Sequence, residues 1–203
     1  MDRESLRSIF SKARIGIAGA GGLGSTCAVS LARAGILNLV IADFDIVTEA
    51  NLDRQYYFLD QVGRYKVDAL SENIGRVDPR VQVAGHRIRL DRLTVEKIFS
   101  DCYVVVEAVD DAGTKEMIVE TALQKFPEAH VVCASGLAGI GNLEELKLVH
   151  HGRLHLCGDF SRETSGDSPP VAPRVGVVAN MEADMVLQIL IDNVESSRGI
   201  SRD

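Results

Sequence analysis

At 203 residues the chain can bury one sizeable α/β core but is short for two full domains. Hydrophobic residues at 46% and charged residues at 25% are ordinary soluble-globular values, which sets disorder aside. A net charge of −7, with no basic stripe carrying interleaved aromatics, argues against a nucleic-acid groove, and no apolar run reaches membrane-spanning length.

In chain order, Ser5 to Ala13 reads as a short polar leading helix, with no signal-peptide core before it. The first strand is expected at Arg14–Gly19. It is followed by a helix from about Gly24 to Ala34 that Gly35 stops. A second strand, Leu37–Asp43, leads into the polar stretch Ile46–Asp60. That stretch holds Asn51, Arg54 and Gln55 beside Tyr56, Tyr57 and Phe58, so it reads as an ordered active-site loop. A helix from roughly Arg64 to Arg76 stops before Asp78-Pro79. A third strand at Val81–Ile88 and a short helix at Leu93–Phe99 come next. The unalternating run Tyr103–Val109 suits a central parallel strand covered on both faces.

Helix Thr114–Lys125 and strand His130–Ala134 complete another α/β unit. Leu143–Val149 and Arg153–Cys157 resemble a terminal β-hairpin. Gly158–Pro173, rich in Gly, Ser, Asp and Pro, is expected to be a mobile crossover-type loop before the broad apolar face of a buried helix, Val175–Val194. The expected architecture is a single α/β domain over 1–203, Rossmann-like and doubly wound. Its sheet should be mostly parallel, with a C-terminal β-hairpin and a buried last helix. Cys27, Cys102, Cys133 and Cys157 include no C-x-x-C pair. Neither zinc nor a disulfide framework is therefore expected, and a reducing cytoplasmic setting is the simplest.

The chemistry-bearing residues begin with Gly19, Gly21 and Gly24, which occupy the G-x-G-x-x-G positions between a strand and a helix. Missing Cβ atoms let such a turn tighten, and the opening amides of the helix face an anion. Asp43, 19 residues beyond Gly24, ends the second apolar run where a carboxylate accepts from ribose hydroxyls, although a capping role fits the same position. Arg54 and Lys66 add two cations, and Asp110 leaves the C-terminal end of a parallel strand. Two cations and a magnesium-capable carboxylate around one phosphate loop suggest phosphoryl or nucleotidyl chemistry, because hydride transfer needs neither. Asp110 and its neighbour Asp111 also read as helix caps, or as dividing metal and capping duties between them.

The ordered set Gly19-x-Gly21-Gly22-x-Gly24, Asp43-x-Asp45, Asn51-Leu-x-Arg54-Gln55, Gly63-x-x-Lys66 and Asp110 resembles the ThiF/MoeB/HesA family. Those proteins adenylate ubiquitin-like carrier proteins, and the set is most similar to short bacterial ThiF-like thiamine-biosynthesis proteins. The likeness runs from about residue 12 to residue 190 and extends to Pro173–Ala179, a glycine-containing turn entering the last helix. It implies that Gly19, Gly21, Gly22 and Gly24 cradle the ATP phosphates and that Asp43 holds the ribose. It further implies that Asn51, Arg54, Gln55 and Lys66 bind the triphosphate and that Asp110 binds Mg²⁺. The implied nucleophile is the C-terminal carboxylate of a sulfur carrier protein ending in Gly-Gly. The implied assembly is a homodimer, with a sulfur donor protein as a further partner. Longer members carry two zinc-binding C-x-x-C pairs, absent here, and an N-terminal arm whose arginine enters the partner's site; Arg3 or Arg7 could substitute for it.

Cys157 carries a second expectation, as a thiol that accepts the activated acyl group or a persulfide, against the plainer role of a small buried apolar residue. His150, His151 and His155 have spacing that invites a metal, but His151 and His155 fall in different halves of the hairpin. The rival functions are adenylation of a non-carrier carboxylate in a modified tRNA base or peptide, a NAD-dependent oxidoreductase, and a carrier-binding module without turnover.

Overall fold

The short Val- and Ile-rich runs of the sequence become the central strands of a single sheet because each has apolar partners on both of its faces. The computed structural model describes residues 1–161 and 168–197. Its strands are β1 (Arg14–Ala18), β2 (Asn38–Ala42), β3 (Gln82–His86), β4 (Val104–Glu107), β5 (His130–Ala134), β6 (Lys147–His151) and β7 (Leu154–Gly158). They lie in the order β3-β2-β1-β4-β5-β7-β6, and every neighbouring pair is parallel except β6–β7. Six helices flank them: α1 (Arg3–Phe10), α2 (Gly22–Ala34), α3 (Lys66–Val77), α4 (Arg92–Phe99), α5 (Ala112–Lys125) and α6 (Ala172–Ser197).

Successive side chains of the central strands enter opposite cores, which explains why the runs show no polar alternation. Ile15, Ile17, Leu39, Ile41, Val104 and Val106 pack with α2, α3 and α6, whereas Val40, Val105 and Val131 pack with Phe99 of α4 and Ile118 and Ala122 of α5. Each such fully buried aliphatic side chain stabilises by about 1.5–3 kcal/mol relative to exposure. Asp2 caps α1 by accepting from the Ser5 amide at 2.9 Å, and Gly35, at φ +112°, ends α2.

Several elements depart from expectation for local reasons. β4 stops at Glu107, two residues before the end of its apolar run, because the Glu107 carboxylate accepts from the Val109 amide at 2.7 Å and hooks the chain away. The C-terminal hairpin is not an appendage: β7 lies parallel beside β5, and β6 becomes the antiparallel edge, with Leu143–Glu145 forming a separate 3₁₀ turn. The last helix starts at Ala172 rather than Val175. The segment expected to be mobile is pinned where it is described. Asp159 is held by the buried Arg174 and by the Ser161 amide, and the Gly139 amide donates to the Pro169 carbonyl at 3.2 Å. The middle of that segment, 162–167, lies outside the described residues.

One buried group on α6 has no counterpart in the sequence reading. Glu182 is fully buried against the Cys27–Cys157 side of the core, and neither carboxylate oxygen has a hydrogen-bond partner. Burial raises its pKa well above the usual carboxylate range, with the Glu107 charge adding to the effect. The folded state therefore keeps the proton that the unfolded chain releases above about pH 4.5, so this residue subtracts stability as pH rises. Glu182→Gln should raise the thermal midpoint at pH 8 while changing it little near pH 4. Equal midpoints for the two proteins at pH 8 would show that the carboxyl is not carrying this penalty.

Candidate active site

All parallel strands deliver their C-terminal ends to one edge of the sheet, and the chain reverses its winding between β1 and β4, the place where open α/β sheets hold ligands. The β1–α2 turn sits at that point. Its glycines are required by contact: a Cβ on Gly24 would lie 1.9 Å from the Gly19 carbonyl oxygen. At Gly19, where φ is +100°, a Cβ would lie 2.7 Å from the Ala108 carbonyl oxygen of the β4 end. Both neighbours are backbone and cannot step aside. The turn therefore closes tightly and leaves the first amides of α2 facing the mouth, a ready anion site.

Asp43 at the end of β2 does more than wait for a ribose. One carboxylate oxygen accepts from the Ala20 amide at 2.6 Å and the other from the Asp45 amide at 2.7 Å. The Tyr57 hydroxyl, buried beneath the loop, donates to the Ala20 carbonyl at 2.7 Å, so Ala20 is held at both its amide and its carbonyl. Burial, with the Asp43 and Asp45 charges, pushes the Tyr57 phenol far up and keeps it a donor. Asp45 in turn pairs with Lys66 at 2.8 Å and accepts the Lys66 amide through its own carbonyl. Lys66, which in isolation reads as a surface lysine, has its side chain only 7% exposed at the first residue of α3.

The loop between β2 and α3 lies over the turn. Arg54 runs its stem beside Gly22 and folds its guanidinium onto Asp53 at 2.6 Å and the Ala50 carbonyl at 3.1 Å. Asn51 spends its amide oxygen on the Thr48 amide at 3.0 Å, leaving the amide nitrogen as the group able to meet a ligand. Gln55 brings its amide nitrogen, a donor suited to a phosphate oxygen, toward Gly21, while its side-chain oxygen is buried without a hydrogen-bond partner. The loop is fixed from below: the Tyr56 amide donates to Ser25 at 3.0 Å, and the paired amides of Gln61 and Asn73 reach the Tyr56 carbonyl.

On the other side of the mouth, Asp111 caps α5 by accepting from the Thr114 amide at 2.8 Å. Asp110 stands exposed at the turn and takes no part in that cap, so the two aspartates do divide in position. Beneath them the buried Glu107 pairs with Lys115, which also reaches the Ala134 carbonyl at 3.3 Å and so joins the ends of β4 and β5. Among the described residues no group of three or more His, Cys, Asp or Glu side chains is placed to hold a metal ion. A Mg²⁺ at this edge would rest on Asp110 and on phosphate oxygens, the donor set that this ion commonly accepts. The glycine cradle, which a Cβ at Gly19 or Gly24 would fill, fits the phosphates of ATP.

Two sequence expectations separate from the site. Cys157 is fully buried at the end of β7. Burial first, then the Glu182 and Cys133 charges, raise its thiol, so neither access nor thiolate character supports a nucleophile there. The histidines do not converge on a metal. His155 lies between His130 and His150, its two ring nitrogens each 2.9 Å from a neighbour's Nδ1, and His151 is exposed apart from them. Arg7 borders Gly35, at the sheet edge opposite the mouth. Sequence reasoning placed Asp45 in a motif and Tyr57 in the loop without giving either a role of its own, and it did not single out Glu107 or Lys115. Asp45 alone carried a signal, its fixed spacing from Asp43.

A mostly parallel doubly wound sheet with a glycine turn at its switch point places the protein in the Rossmann-like class. Within that class the chain belongs to the ThiF family, which its sequence matches over residues 2–200. The adenylyltransferase and sulfurtransferase UBA4 of Candida glabrata is 29% identical over 189 residues, covering 90% of this chain and 43% of that protein. The adenylyltransferase and sulfurtransferase MOCS3 of Caenorhabditis briggsae is 31% identical over 184 residues, covering 85% and 44%. The chain thus spans less than half the length of these curated relatives. E. coli tRNA N6-threonylcarbamoyladenosine dehydratase, TcdA, solved in complex with AMP, shares the fold with a TM-score of 0.85 at 18% identity, covering 95% of this chain and 92% of that one.

Tyr57→Phe deletes the donor to Ala20 and leaves a buried carbonyl unpaired, which should lower unfolding free energy by about 1–2 kcal/mol. A denaturant midpoint unchanged by the substitution would show that the loop does not depend on this bond. The histidine row predicts acid sensitivity. Burial, then the His130 and His150 charges, lower His155 to about 4 from its ordinary 6.5. The unfolded chain takes up this proton below about pH 6.5 and the folded one only near 4. The contribution is therefore full above 6.5 and lost progressively as pH falls to 4. Urea midpoints of the native protein and His155→Gln across that window should differ in slope, and parallel lines would contradict the assignment.

Proposed function

We propose that the protein is a nucleotidyltransferase that binds ATP and Mg²⁺ and adenylates a C-terminal carboxylate. The favoured substrate is the Gly-Gly end of a small ubiquitin-like sulfur carrier of the ThiS type. The observation that supports this most directly is the assembly of one mouth from four separate segments, the turn 19–24, Asp43–Asp45, the 51–66 loop and Asp110. A dehydrogenase would give Lys66 and Asp110 no task. The adenylyltransferase and sulfurtransferase names of its relatives point the same way.

The division of labour follows from charge. A carboxylate attacking an anionic phosphorus needs positioning and charge neutralisation more than a side-chain base. The α2 amides and glycine turn seat the phosphates, and Asp43 meets the ribose with lone pairs beyond those spent on Ala20 and Asp45. Arg54 exchanges Asp53 for phosphate oxygen, Lys66 offsets charge on the α-phosphoryl and departing pyrophosphate, and Asn51 and Gln55 donate through their amide nitrogens. Bound Mg²⁺ neutralises phosphate charge. Asp110 is the side chain that would hold it. A homodimer and a separate sulfur donor protein complete the proposal, with a cytoplasmic setting.

A second reading is favoured by one finding. The TcdA likeness covers nearly the whole of both chains, and that protein's name is that of a tRNA-modifying dehydratase. Adenylation of a carboxylate on a modified base is therefore the alternative, with the net charge of −7 weighing against it.

ATP–pyrophosphate exchange tests the proposal directly. With Mg²⁺ and a Gly-Gly-terminated carrier, exchange should appear, and Lys66→Ala or Asp110→Ala should each reduce it by about 10²–10³. Cys157→Ala should retain it. Exchange with a threonylcarbamoyl-bearing tRNA and none with any carrier would transfer the assignment to the second reading, and near-native rates in both variants would remove those residues from the site.

A further inference from the structure

Arg89 belongs to none of the motifs that define the site, yet it stands at the mouth. It lies in the linker between β3 and α4, next to the strand end that borders β2. Its guanidinium carbon is 4.2 Å from the ring centroid of Phe44, the residue that directly follows Asp43 and is 45% exposed. The Asp111 carboxyl, held low chiefly by the Thr114 hydroxyl and amide, is lowered further by the Arg89 charge. The neighbouring Arg87 is committed to Asp68, at 2.9 Å, and to the Tyr65 ring. Arg89 makes no ion pair among the described residues, so its planar cation is available.

We propose that Arg89, backed by Phe44, is the nucleobase-recognition element of this protein, stacking its guanidinium on the heteroaromatic ring of a bound purine nucleotide. The inference rests on the proposed ATP site and follows from the order of strands at the mouth. Phosphates at the β1–α2 turn and a ribose at Asp43 on β2 direct the base outward toward the β3–α4 linker. Phe44 borders that place, with the Arg89 guanidinium over its ring. A guanidinium there meets the base with a flat, weakly hydrated, always charged surface, which a lysine ammonium cannot reproduce. The larger purine face offers more stacking surface than a pyrimidine, so ATP should be preferred to CTP.

The test compares two probes on the intact chain in Mg²⁺: ATP, and inorganic tripolyphosphate, which carries the phosphates without a base. Arg89 is exposed and its replacement should leave the fold undisturbed. Arg89→Ala and Arg89→Lys should each weaken ATP binding roughly ten-fold, as lost cation–π stacking would, with tripolyphosphate affinity unchanged and the ATP-over-CTP preference reduced. Phe44→Ala should do the same more mildly. Equal losses for ATP and tripolyphosphate would make Arg89 a phosphate ligand and overturn the proposal, as would full ATP affinity in either arginine variant. Native protein that binds neither probe would instead refute the ATP site itself, taking this inference with it.

Discussion

Ala20 is gripped on both sides of its backbone, its amide by Asp43 and its carbonyl by Tyr57, and the geometry of the mouth follows from that grip. A glycine turn left to itself has more freedom than any other short sequence, and ordering it opposes folding by about 1–2 kcal/mol per residue. Here the disorder is removed twice over. Gly24 and Gly19 allow backbone contacts that no side chain permits, and the part-buried Asp43 and the buried Tyr57 then hold Ala20 between them. The same carboxylate reaches the Asp45 amide, and Asp45 reaches Lys66, so a cation on α3 is referenced to the turn after β1 through two acidic positions, Asp43 and Asp45.

That chain of contacts sets the electrostatics of the edge. Each principal cation already has a carboxylate: Lys66 has Asp45, Arg54 has Asp53, and Lys115 has Glu107. The three pairs are not equivalent. Asp53 is 67% exposed, so its hold on Arg54 is a solvated contact worth little, and a polyanion at the turn can take the guanidinium over. Glu107 is buried and carries a raised pKa from desolvation that Lys115 opposes. Breaking that pair would strand a charge in the sheet, so it holds the base of the Asp110 turn and is no candidate for exchange. The proposed exchange for phosphate is therefore assigned to Arg54, whose carboxylate partner is mostly in solvent, and a structural role to Lys115, whose carboxylate partner is fully buried.

Much of this architecture was legible because the central strands obey one rule: a run of Val and Ile too short for a helix and apolar on both faces belongs in a parallel sheet. Val104–Val106 and Leu39–Ala42 show it directly. The glycine spacing likewise places its turn, since no other residue fits the contacts that Gly24 and Gly19 make. Tyr57 was not legible, because an aromatic beside two others reads as packing, and only the folded loop brings its hydroxyl beneath Ala20. Nor was the order β5-β7-β6. The hairpin's local pairing is written in its sequence, but the choice of β7 rather than β6 to join β5 depends on contacts between distant segments. Asn51 illustrates a third kind of limit. Its amide has two ends, and nothing in the sequence says that the oxygen would be spent on the Thr48 amide.

The buried groups farther from the edge are quiet for a common reason. A thiol reacts as its thiolate, and Cys157 sits where burial and the Glu182 carboxyl both oppose that charge. Glu182 is subject to the same opposition and keeps its proton. The two groups lie in one apolar layer between α2, α6 and β7, where any charge would need a partner that the described residues do not supply. Charge can be held cheaply only at the strand ends, where backbone amides, the α2 terminus and water share the work. The group transfer proposed for this protein is therefore assigned to the carboxyl ends of the strands, and the buried Cys157 thiol is given no part in it.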